Sequence, residues 1–244
     1  MTADQVRERF QLGETAVTIL AEERFLPLAK ESIFRCREDI LRFISQDPFF
    51  RDTLEPYEAP ANAPEIVRRM SVASALAGVG PMAAVAGAIA QEAVRSMVEA
   101  GARHAIVDNG GDIAMFLSEE AVVGIYAGES RWNGLGMRFP GDERHVSVCT
   151  SSGTVGPSIS FGMADAAVVV AEDAALADAC ATRLGNEAKS AEEKSMRRAV
   201  ELVARIPGVR GALLIIGERM ACKGDLPPLV LTKVDLKEVS RPII

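Results

Sequence analysis

Apolar residues along this chain recur with two different periods, and the switches between them outline a fold. Residues 15–20 (TAVTIL) form a β-branched, apolar run, the pattern of a strand. Over residues 27–45, Ala29, Ile33, Cys36, Ile40 and Ile44 return at three- and four-residue spacing, while Lys30, Glu31, Arg35, Arg37, Glu38 and Arg42 fill the other faces. That spacing predicts a surface helix. Asp47-Pro48 ends it, and the proline-bearing residues 56–64 read as a connection across the surface. A second helix starts near Pro64, runs through Ile66, Val67, Met70 and Ala73, and stops toward Gly78. Gly80-Pro81 then turns the chain into a third helix over residues 82–100, because proline suits a first helical position. From Ala83 to Ala90 this helix is small on every side, and from Gln91 it turns polar, so it is expected to enter at the centre and leave at the surface. Gly101 is its stop signal.

Strand patterns take over at residues 105–107, at Ile113, Met115 and Leu117, and at 121–126, 135–139, 146–149 and 167–171. A helix follows from Asp173 to Gly185-Asn186 and another over 191–205, before strands at 211–216 and 229–232. Trp132 reads as a packing or interface anchor, and the loop 217–228 carries no chemical signature. Strands that cluster mid-chain and at both ends, with helices inserted as blocks, predict a single α+β domain over residues 1–244 rather than a regular βαβ alternation.

Composition narrows the function. A net charge of -7 and a pI near 5.1 argue against nucleic-acid binding. Cys36, Cys149, Cys180 and Cys222 lie far apart with no CxxC pair, so the expectation is neither a disulfide framework nor a zinc site but a reducing cytoplasm. Residues 1–14 have no apolar core of the kind a leader needs. No charge falls between Met70 and Ala90, a length that spans a bilayer, but the run is mostly Ala and Gly and is broken by Gly78-Val79-Gly80-Pro81. Two buried helix segments meeting at a turn fit it better than a membrane span. Segments that are small on all sides need cover on more than one face, which predicts a homodimer unless the N-terminal helix or a ligand supplies the cover.

Three stretches carry candidate chemistry. Val107-Asp108-Asn109-Gly110-Gly111-Asp112-Ile113 lies between two strands, and Asn-Gly there signals a tight turn with positive φ. Its second glycine leaves room for close approach to the backbone, and Asp108 and Asp112 are expected at the rim. Thr150-Ser151-Ser152-Gly153-Thr154 follows a strand, and as a loop of small residues it could offer amides and hydroxyls to a phosphate; a loop that bonds its own backbone is the alternative. Asp178 and Thr182, four apart on a helix, share a face and together present two oxygen ligands suited to a hard cation such as Mg²⁺.

In this order, a small-residue helix (GVGPMAAVAG), NGGDI, CTSSGTVG, SFGMADA and ADACAT, the motifs resemble the ApbE family of magnesium-dependent FAD:protein FMN transferases, and in particular its short stand-alone branch. The resemblance implies a two-layer, T-fold-like α+β architecture. It implies FAD or FMN held between the NGGDI turn and the TSSGT loop, by Asn109, Gly110, Gly111, Asp112, Thr150, Ser151, Ser152, Gly153 and Thr154. It also implies Mg²⁺ on Asp178 and Thr182 with a backbone carbonyl of the small-residue helix, and Asp112 as the first candidate for a base. Two features of the transferases are missing: Ala86 stands before Gly87 where they carry Lys-Gly, and no His-x-x-Asp-Pro follows the Ser-Gly. His104 and His145 read as surface or capping residues. FMN transfer to a protein hydroxyl, a nucleotide-binding module without chemistry, and a structural homo-oligomer therefore all stay open.

Overall fold

The computed structural model describes residues 5–128, 130–152 and 162–232. Eight strands, β1 (Gln5–Leu12), β2 (Thr15–Glu22), β3 (Ala105–Asn109), β4 (Asp112–Phe116), β7 (His145–Ser151), β8 (Ala166–Ala171), β9 (Val209–Ile216) and β10 (Arg219–Gly224), form one sheet in that order, antiparallel throughout. A smaller sheet joins β5 (Ala121–Gly124), β6 (Leu135–Phe139) and β11 (Leu229–Leu231), with β6 in the middle. The helices are α1 (Leu26–Gln46), the short α2 (Phe49–Asp52), α3 (Glu65–Ala77), α4 (Val85–Glu99), α5 (Ala174–Glu187) and α6 (Glu193–Ala204).

Alternation along the strands divides the core. On β8, Ala167, Val169 and Ala171 face the helices, while Ala166, Val168 and Val170 face the small sheet. Both faces of the central strands are therefore covered, which is why 166–171 reads as a continuous apolar run. The expected α+β domain is present, and the small sheet adds partial cover on the far side through Leu135, Met137 and Phe139. Trp132 packs against that second cluster and donates from Nε1 to the Glu218 carbonyl at 3.2 Å.

Helix α4 lies on β3 and β4 with α1 and α5 beside it, and α3 packs on α5. Helices α1 and α5 and the sheet cover Gly87, Ala88, Ile89 and Ala90 of α4, while Val85 and Ala86 stay half-buried and Val72 and Leu76 of α3 are exposed. Residues 81–84 form a 3-10 turn rather than the start of the helix, and α4 begins at Val85. Among the described residues no single helix is long and apolar enough to cross a membrane, and the pair Glu65–Ala77 and Pro81–Glu99 is bent by 103° at the Gly-Pro break.

Candidate functional site

Three of the candidate residues, Asn109, Asp112 and Asp178, lie where the helix side of β4 and β7 meets the first turns of α4 and α5. Asn109 pairs with Asp112 across the β3–β4 turn, and Asp112 pairs with Cys149 on β7. Directly paired residues share a face, and Cys149 belongs to the helix-side core. The Asn109, Asp112 and Cys149 side chains therefore all point toward α4 and α5. The turn residues are Gly110 and Gly111, with φ of 73° and 103°; Asn109 is a buried strand residue, not a turn residue. The second glycine is required by the turn itself. Among the described residues beyond its chain neighbours, none comes within 4 Å of a Cβ built on Gly110, and on Gly111 the nearest such atom is the Thr150 carbonyl oxygen at 3.9 Å.

Asp108 is corrected by the register. It pairs with Ile113 on the opposite face, and its Oδ1 accepts the Gly111 N–H at 2.8 Å. It braces the turn, and only Asp112 enters the site.

Asp178 lies one turn into α5, buried, and its Oδ2 accepts the Gly87 N–H at 2.9 Å, with the Ala86 N–H on the same carboxyl. These amides belong to the first turn of α4, which has no acceptors within its own helix. Asp178 thus caps α4 from a neighbouring helix. Asn109 Nδ2 donates to the Ala86 carbonyl at 3.1 Å, which ties α4 to the β3–β4 turn. Gly87 makes the approach of the helices possible, since a Cβ there would run into the Ala174 carbonyl group and come within 2.9 Å of Asp178 Cβ. Gln91, one turn further, accepts the Ala174 N–H, and Asp173 caps α5 by accepting the Leu176 N–H at 3.0 Å.

The electrostatics are those of one buried carboxyl, Asp178, and one half-buried carboxyl, Asp112. Burial, and then the charge of Asp108, push the Asp112 carboxyl up to about 7, against the pull of hydrogen bonds from the Cys149 thiol and the Thr150 N–H. Burial, and then the charge of Asp112, hold Asp178 well above the usual carboxylate range, opposed by the Gly87 and Ala86 amides. Cys149 is raised by burial and by both carboxylates, so its thiol keeps its proton at neutral pH.

The TSSGT stretch departs from the loop expectation. Thr150 and Ser151 are still within β7. Thr150 pairs with Val168, a far-face residue, so its hydroxyl points away from the site and it contributes its backbone amide. Ser151 is buried on the helix side, and Ser152 donates to the Ala164 carbonyl at 3.5 Å. Gly153 and Thr154 lie outside the described residues. Thr182 is half-buried one turn beyond Asp178. His104 precedes β3, and His145 opens β7 against the Phe116 ring; both are at the strand ends opposite Asn109 and Cys149.

Sequence reasoning passed over Cys149 and the amides of Ala86 and Gly87. The position of Cys149 at the end of a strand, immediately before TSSGT, was the available signal for the first.

Among the described residues, no three His, Cys, Asp or Glu side chains converge as a metal cluster. The two carboxyls of like charge, Asp112 and Asp178, are oxygen donors of the kind that suits a hard divalent cation and not a thiophilic one.

An antiparallel sheet carrying these helices is the fold of solved flavin transferases called ApbE. The Vibrio cholerae flavin transferase ApbE superposes with a TM-score of 0.54 at 11% identity over 91% of this chain and 97% of that one. The apo Pseudomonas stutzeri flavinyl transferase ApbE gives 0.53 at 12% identity over 92% and 96%. A family profile described as AbpE bacteria matches residues 1–205, and the chain belongs to that family. Among its relatives are UPF0280 proteins from Methanocella arvoryzae, 51% identical over 96% of this chain and 94% of the relative, and from Methanosarcina acetivorans, 50% identical over 94% and 90%.

Proposed function

We propose that this site binds a flavin or related nucleotide together with Mg²⁺. The observation that carries the reading is the pair of like-charged carboxyls, the buried Asp178 and the half-buried Asp112, set against the small-residue wall of Ala86 and Gly87 beside the Gly-Gly turn. Two poorly hydrated carboxylates repel each other, and a cation bound there offsets both the lost hydration and the repulsion. Asp178 and Thr182 are the ligands for the ion, and the backbone of Gly110 and Gly111 borders the ligand. The chemistry a bound Mg²⁺ supplies is neutralisation and polarisation of a pyrophosphate. With the ion on Asp178 and Thr182, Asp112 is the carboxyl left to take the proton in transfer of FMN from FAD to a protein hydroxyl.

A second reading, binding without transfer, is favoured by Ala86 standing where the transferases carry lysine and by the placement of both histidines away from the site. Titration of the purified protein with FAD, FMN, ADP and ATP, with and without Mg²⁺, tests the shared part. Saturable binding in the micromolar range, tightened by Mg²⁺, is expected; no binding by any of the four at high micromolar concentration would overturn the reading. Flavin incorporated into an acceptor peptide then separates enzyme from module.

A further inference from the structure

The Cys149 thiol has one proton and two acceptors. One is the carboxyl of Asp112, its cross-strand partner. The other is the Ala174 carbonyl oxygen at 3.5 Å. That carbonyl begins α5, the helix that carries Asp178, and it lies against Gly87. The thiol is fully buried, so water does not compete for its proton. It thus connects the two walls of the site, the strand that holds Asp112 and the helix that holds Asp178. A thiol is a weak donor, easily redirected between acceptors of unequal strength, and an ionised carboxylate is the stronger of the two.

We infer that Cys149 is a positioning residue: its thiol proton holds the Asp112 carboxyl while the site is empty and turns to the Ala174 carbonyl when that carboxyl turns to the nucleotide bound beside the ion. The turning step rests on the cation reading given above; the hold on Asp112 does not. Because the donor remains satisfied in both states, engaging Asp112 leaves no buried polar group unpaired. A thiol also makes no strong bond of its own to a hard cation, so it steers Asp112 without competing for the ion.

The S–H stretching band of Cys149, isolated as the infrared difference between the wild-type protein and Cys149→Ala, reads the acceptor directly. In the ligand-free protein the band is expected to shift when Asp112→Asn replaces the carboxylate with a weaker acceptor, and to shift in the same direction in wild-type protein saturated with Mg²⁺ and ADP. Cys149→Ala is expected to weaken Mg²⁺ affinity about tenfold and Cys149→Ser by about threefold or less, since serine keeps a donor. A band unmoved by Asp112→Asn would overturn the hold on Asp112. Equal Mg²⁺ affinities in the wild type and both Cys149 variants would overturn the positioning role. Failure of the wild-type protein to bind Mg²⁺ at all would overturn the proposed function and the turning step with it, while the Asp112→Asn comparison would still decide the hold.

Discussion

Gly87→Ala is expected to destabilise the protein by about 3 kcal/mol or more, the upper end of the range for overpacking a well-filled interior. The added methyl meets the Ala174 carbonyl group, with its carbon at 2.7 Å, and Asp178 Cβ at 2.9 Å. Two of these neighbours are backbone, which cannot swing aside as a flexible side chain would. Relief requires α4 to move off α5, and that movement breaks the bond from the Gly87 amide to Asp178 and strains the one from Ala174 to Gln91. Gly110→Ala is the matched control: among the described residues its Cβ meets nothing within 4 Å, so the expected cost is that of the left-handed φ of 73°, about 1 kcal/mol. Urea unfolding midpoints of the two variants measure the difference. A cost below about 1 kcal/mol for Gly87→Ala would mean that α4 and α5 do not pack at this distance.

Without ligand, the protein is expected to lose stability as the pH rises from about 4 to about 7. Asp112 and Asp178 both have folded-state pKa values above the unfolded 3.8, so between these limits the folded chain retains protons that the unfolded chain has released. Stability is therefore full below 3.8 and falls as the pH climbs. For Asp112 the separation between 3.8 and about 7 sets an upper bound of about 4 kcal/mol. Asp112→Asn and Asp178→Asn, which have no proton to lose, should each flatten the profile, and each should be more stable than wild type at pH 8. In Asp178→Asn the remaining carbonyl oxygen still accepts from the first turn of α4. Denaturant unfolding from pH 4 to 8 tests this, and a wild-type profile that rises or stays level over that range would show that the carboxyls are not desolvated as described.

This pair illustrates what could be read from the sequence and what could not. Asp178 and Thr182 were legible because helical spacing places i and i+4 on one face, and Asp112 because a Gly-Gly turn flanked by strands sets its position. The side of the sheet each residue faces depends on register, which local pattern does not specify; hence Asp108 was expected at the rim beside Asp112, although it lies on the other face. Strand β7 runs on through Thr150 and Ser151 because β8 offers ladder partners, Val168 and Ala167, that hydroxyl-bearing residues accept as readily as a loop. The two edge strands, β1 and β10, were missed for a common reason. Edge strands carry charge, as Arg7, Glu8 and Arg9 do in β1 and Arg219 and Lys223 in β10, and this erases the apolar signal. Gly185 and Asn186, which looked like a stop, lie inside α5, where the Gly185 carbonyl packs against Gly162 so closely that a Cβ on Gly162 would not fit.

Uptake of Mn²⁺, a spectroscopic stand-in for Mg²⁺, tests most directly whether Asp178 and Asp112 belong to a cation-assisted nucleotide site. Electron paramagnetic resonance follows the loss of the free-ion signal as Mn²⁺ is titrated into wild-type protein and Asp178→Asn, each in the presence of ADP. Stoichiometric uptake by the wild type, reversed by excess Mg²⁺ and absent in Asp178→Asn, is the predicted result. Equal uptake by the two proteins, or none by the wild type, would contradict it.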